Sequence, residues 1–175
     1  IRGANAGKTP DELVEEFEYP PFFLESYDLE EKYGKVSWSI RNVYNGYLGF
    51  FDGRAVNLEP LSKKKRARHI FELIGSKEQL IEQINKANNS SNYQWAAELS
   101  DIGLLNFPND KDIKNLYSES LENLSQIEKN PIARNYYLSE AYELSGKITP
   151  SLEYSISAEQ AKNIPLSTFF DAMGP

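Results

Sequence analysis

The feature that most limits what this chain can become is the spacing of its apolar residues. Over 36–51, Val36, Ile40, Val43, Tyr44, Tyr47, Leu48 and Phe51 recur at steps of three and four, the period of a helix face. The same spacing returns as Ile113, Leu116, Tyr117, Leu121, Leu124 and Ile127 over 111–127. No strand-like alternation of four or more residues with β-branched enrichment is read before Tyr154 to Ile156. The body is therefore expected to be all-α.

Punctuation between the periodic stretches divides this body. Thr9-Pro10-Asp11-Glu12 carries a capping residue, a proline suited to the first helical position and a glutamate that closes a capping box. Leu13, Val14 and Phe17 give that short helix its apolar side, and Pro20-Pro21 end it. A loop or single turn through Phe22, Phe23 and Leu24 leads to Tyr33-Gly34. Helix 36–51 follows, with Asp52-Gly53 as its stop. Because Trp38 and Phe50 fall off its main stripe, it is apolar over more than one face and is expected at the centre of the molecule.

Helices are also predicted over 62–74, ending at Gly75, and over 79–88, capped by Ser76 with Gln79. The polar cluster 88–92 then makes a turn. Two more follow over 93–106 and 111–127, the latter capped by Asn109 or Asp110, and Pro131 opens a last one that stops at Gly146. Segment 79–88 pairs with 93–106 as an antiparallel hairpin. There Trp95 beside Ala96 and Ala97 gives the large-next-to-small surface of a tetratricopeptide-like unit. No second copy appears at that period, so the architecture is a helical bundle with repeat-like hairpins rather than an array. Residues 1–148 form this unit, and 149–175 a short non-repeat tail or the opening of another domain.

Composition narrows the chemistry. The 175 residues contain no cysteine and one histidine, His69, which excludes thiolate chemistry and leaves too few imidazoles for a self-contained transition-metal centre. No P-loop, no G-x-G-x-x-G and no Ser-His-Asp arrangement occurs, and no residue stands out as catalytic. Nothing approaches the roughly 20 apolar residues of a membrane span, and no signal peptide is evident. The chain is thus expected to be soluble, in a compartment the sequence does not name. Net charge is −7, and all of it lies in residues 8–32, where nine acids face two lysines. A neutral body with one acidic arm is not a nucleic-acid binder. Lys63-Lys64-Lys65-Arg66 and Arg68 are expected on a solvated helix face.

Three segments, "YGKVSWSIRNVYNGYLGFFDG", "NYQWAAEL" and "ARNYYLSEAYEL", together resemble the dimerisation domain of metallo-β-lactamase-type alkyl sulfatases. Tyr33, Gly34, Ser37, Arg41, Tyr44, Tyr47, Gly49, Phe50, Asp52 and Gly53 match the first motif of that family. Trp38, Ser39 and Arg54-Ala55 depart from it, standing where His, Asn and Asn-Pro are common. "IPLSTFFDAM" resembles the entry to a sterol-carrier-like C-terminal domain. The resemblance implies a homodimer of interlocked helices, an upstream metallo-β-lactamase domain that binds two zinc ions, and no cofactor in this segment. It also implies that the ring-rich helix borders the substrate pocket. Tyr47, or second Tyr44, would then lie near the sulfate group, with Arg41 either assisting or pairing with the acidic arm.

Bland alternatives stand beside these roles. Tyr44 and Tyr47 could be plain core, Trp95 with its alanines is expected as core, and His69 as a surface residue. Arg134 and Asn135 fit an internal polar pair or an interface contact. Two other functions compete: a helical-repeat interaction module, and a free-standing enzyme working through Glu12, Glu15 and Glu16. Those three carboxylates lie in a uniformly acidic stretch that reads as a solvated face.

Overall fold

The computed structural model describes residues 1–149 together with 162, 163, 165, 167 and 168. The expected C-terminal tail lies almost wholly outside the described residues. Among the described residues there are nine helices and no strand. They are α1 (Arg2–Asn5), α2 (Pro10–Glu15), α3 (Pro21–Leu24), α4 (Val36–Leu48), α5 (Lys63–Ile74), α6 (Lys77–Asn89), α7 (Tyr93–Asn106), α8 (Lys111–Ile127) and α9 (Pro131–Leu144). Within them, no helix is long and apolar enough to cross a membrane.

Helices α5 to α9 form the body. Turns of a few residues make each of α6–α7, α7–α8 and α8–α9 a packed pair, and α5 also lies against α7. One core joins Leu80, Ile84 and Ala87 of α6 to Ala96 and Leu99 of α7 and Ile113 of α8. Phe71 and Phe107 close its edge in a T-shaped pair, 5.1 Å between centroids. A second core joins Ala97, Leu121, Leu124 and Ala141, bordered by Tyr93, Tyr117, Tyr137 and Tyr142. Small residues set the spacing. A Cβ on Gly103 of α7 would lie 3.0 Å from Ile113 Cγ2 and 3.2 Å from Leu80 Cδ2, so glycine lets three helices meet there.

The caps follow the sequence closely. Thr9 and Glu12 form the full capping box of α2, and Ser62 and Ser76 cap α5 and α6. Asp110 accepts from the N–H groups of Asp112 and Ile113 at 3.1 Å each, and from Lys77 Nζ at 2.8 Å. Lys77 and those backbone N–H groups hold the Asp110 carboxyl below its ordinary range, because both favour the charged form.

Three expectations are corrected. Helix α4 ends at Leu48 and not near residue 51, because Gly49 takes a positive φ of 75° and its N–H closes on Asn45 O. Asp52 then builds the following turn, accepting from Arg54 N at 3.0 Å and Asn57 Nδ2 at 2.6 Å. Nor is α4 central. Tyr44 is its one buried residue, and it packs on α2 at the margin of the body. Its apolar girdle needs several covering surfaces, and the described residues supply one. Trp95, expected in the core with its alanines, is 45% exposed. On α7 the small residues Ala96, Ala97, Ser100 and Gly103 face inward, which leaves the indole on the groove side with Glu98 and Ile102.

Candidate functional site

Helix α4 carries all three residues that the sequence singles out, and the structure divides them. Tyr44 and Tyr47 lie one helical step apart and line the same cleft, of about 500 Å³, between α4 and the α1–α2 segment. Leu13 of α2 and Phe17, just beyond the end of that helix, form its far wall, and Ile40, Val43 and Leu48 its near one. Tyr44 is buried in the floor at 8% exposed, whereas Tyr47 stands at the mouth, 72% exposed. The cleft is therefore an apolar trough with one accessible phenol at its edge. Such a trough can shelter an alkyl chain or an apolar side chain, and its edge offers a hydrogen-bond donor.

Arg41 lies on a different side of α4. Its guanidinium donates twice to Asp11 Oδ1, from Nη2 at 2.8 Å and from Nε at 3.3 Å. It borders a polar cleft shared with Glu12, Glu15, Asp52, Arg54 and Arg66. Of its two expected roles, pairing with the acidic arm is the one this geometry contains. In the same cleft the Thr9 N–H and hydroxyl hold the Glu12 carboxyl below its usual range, and the Arg54 N–H does the same for Asp52. A carboxyl held below its usual range is a weaker proton acceptor, so neither is tuned toward neutral pH as an efficient general base would be.

The other candidates resolve simply. His69 is exposed on α5, its Nδ1 3.1 Å from Glu72 Oε2. Lys63, Lys64, Lys65, Arg66 and Arg68 are exposed, as a solvated face requires. Arg134 and Asn135 are exposed on α9 and are no internal pair. Among the described residues no group of three or more His, Cys, Asp or Glu could hold a metal ion. A second groove, of about 530 Å³, lies beside Trp95 and is lined by Glu98, Asp101, Tyr117, Tyr137 and Glu140. Burial and the adjacent Glu140 and Asp101 carboxylates push the Tyr117 hydroxyl well above the normal phenol range.

Sequence reasoning missed a polar joint between the acidic arm and the body. Asn130 is 1% exposed and bonds to the backbone of residues 31 and 34. Asn130-Pro131 is a legible cap signal, but nothing local shows contacts nearly one hundred residues away.

Comparison with known proteins fits this geometry. Residues 9–147 match the family described as alkyl sulfatase dimerisation. A linear primary-alkylsulfatase from Pseudomonas sp. is 36% identical over 180 residues, covering 97% of this chain and 34% of the relative. An (R)-specific secondary-alkylsulfatase from Pseudomonas sp. is 29% identical over 170 residues, covering 97% of this chain and 26% of that protein. The solved structure of the stereoselective inverting sec-alkylsulfatase Pisa1 from Pseudomonas sp. superposes with a TM-score of 0.82 at 28% identity, over 97% of this chain and 27% of that one. This chain thus spans between a quarter and about a third of the length of these relatives. All three are named as sulfatases, and nothing in them favours a helical-repeat interaction module. With the match running from the α2 cap to the end of α9, the chain belongs to the alkyl sulfatase dimerisation family.

Proposed function

We propose that this chain is the dimerisation and pocket-lining segment of a longer alkyl sulfatase, a hydrolase of sulfuric esters of alkyl alcohols. The observation that carries the proposal is the open face of α4 and its neighbours. Phe17, Phe22, Trp38, Val43, Tyr47, Leu48 and Phe50 are all exposed, a concentration that monomeric surfaces seldom tolerate. Two partners of different kinds would cover it: a second copy of the chain, and a catalytic domain upstream. In this reading residues 1–148 pair two subunits, and 149–175 lead into a sterol-carrier-like domain.

The two zinc ions implied by the family resemblance do not fit the residues described here, which offer no metal cluster. Their ligands belong to the upstream metallo-β-lactamase domain of this reading. The contribution of the present chain is binding. The trough beside Tyr44 would shelter alkyl carbons, and the Tyr47 hydroxyl would donate to a sulfate oxygen, a charge-assisted bond stronger than a neutral one. Arg41, held by Asp11, would fix α2 against α4.

The test is release of inorganic sulfate from dodecyl sulfate by the full-length, zinc-loaded protein. Steady release by the full-length protein, and none by the 175-residue chain alone, is the expected result. No release from dodecyl sulfate or any shorter primary or secondary alkyl sulfate would overturn the reading.

A further inference from the structure

Two helix N-termini far apart in sequence, those of α4 and α9, meet at one buried side chain. The Asn130 carboxamide divides its two ends between them. Its Oδ1 accepts from Ile132 N and Ala133 N at 3.0 Å each, capping α9. Its Nδ2 donates to Glu31 O at 2.7 Å and Gly34 O at 3.2 Å, in the strap that enters α4. Around it the contact is doubled. Glu128 accepts from the Asn130 N–H at 2.8 Å through Oε1, and from Lys35 Nζ at 2.6 Å through Oε2. Lys35 is the N-cap residue of α4. The Glu31 carboxylate in turn accepts from the Val36 N–H and the Tyr19 hydroxyl. Burial alone would raise the Glu128 carboxyl, yet Lys35 and the Asn130 N–H hold it below the ordinary range.

We infer that this joint, with Asn130 at its centre, is the device that sets the ring-bearing helix α4 on the helical body. The extensive helix packing of the body does not include α4, whose main contact is α2. A unit joined by little apolar packing takes its orientation from whatever directed bonds it has. Here Asn130 is 1% exposed, the bonds around it are part-buried and several are charge-assisted, and they act at the entry and first turn of α4. Asn130 is thus a positioning residue, acting on Tyr44 and Tyr47 through the backbone of residues 31–36.

Capping and positioning separate cleanly in one variant. Asn130→Asp keeps the oxygen that caps α9, since aspartate caps as well as asparagine does. It removes the Nδ2 donor and sets a carboxylate against the carbonyls of Glu31 and Gly34. The absence of native cysteine allows nitroxide labels at Asn42→Cys on α4 and Glu119→Cys on α8, both exposed. Distances would be read by double electron–electron resonance, with excess unlabelled chain to suppress contacts between copies. The parent should give one narrow distribution. Asn130→Asp should broaden or shift it while leaving the helical circular dichroism in place. A distribution unchanged in Asn130→Asp would reduce Asn130 to an ordinary cap and overturn the inference. Should that variant fail to fold, Lys35→Gln decides by the same reading. The effect on alkyl sulfate turnover rests on the function proposed above, but the distance measurement does not, so either can fail without the other.

Discussion

Replacing Ile113 with alanine is expected to destabilise the helical body by about 2–5 kcal/mol, a large part of the 5–15 kcal/mol typical of a domain. Ile113 is fully buried at the meeting of α6, α7 and α8. Its Cγ2 and Cδ1 fill the space over Gly103, where an added Cβ would lie within 3.1 Å of both. Glycine has no side chain to move into the vacated volume, and Leu80 is already packed against the same point. The site therefore collapses poorly, and the cost should fall in the upper half of that range. Chemical denaturation of the 175-residue chain measures it directly, provided the slope with denaturant is unchanged. A loss under about 1 kcal/mol would show that the three helices do not rely on this contact.

The second large effect concerns Tyr47. In the full-length protein, Tyr47→Phe is expected to lower kcat/KM for dodecyl sulfate about 10- to 100-fold, the loss of one hydrogen bond to a charged group. The ring is 72% exposed and phenylalanine preserves its shape, so thermal stability should not change. That pairing of a kinetic loss with an unaltered fold is the signature of a binding role. An unchanged kcat/KM would return Tyr47 to the apolar covering of α4 and remove the phenol from the substrate site.

How far the sequence reached depends on the kind of signal. The bounds of α7 and α8 could be read residue by residue, because clear breaks bracket them: the polar turn 88–92 and Pro108 around α7, and the Asp110 cap before the strongly periodic α8. Helix α4 ran past its true end in the sequence reading because two glycines, Gly49 and Gly53, follow the same stripe. Both take positive φ, and the first to turn ends the helix. The rings of α4 announced a need for cover, which is a property of sequence. Who provides that cover is not, and the described residues provide only part of it. Trp95 was misplaced because helix packing buries the small neighbours Ala96 and Ala97 and pushes the large ring to the rim. Tyr44 and Tyr47, a step of three apart, line one cleft, whereas Arg41, also three from Tyr44, faces Asp11 across another side of the helix. The joint at Asn130 was out of reach, since a side-chain amide gives no sign of a distant backbone partner.

The central claim is that the exposed face of α4 and the segments around it is where copies of this chain pair. Light scattering across a dilution series of the 175-residue chain, of mass 20.0 kDa, tests it most directly. The account predicts a particle of twice that mass persisting into the low micromolar range, as an interface above about 1,000 Å² would give. A mass of 20.0 kDa at every concentration would contradict it.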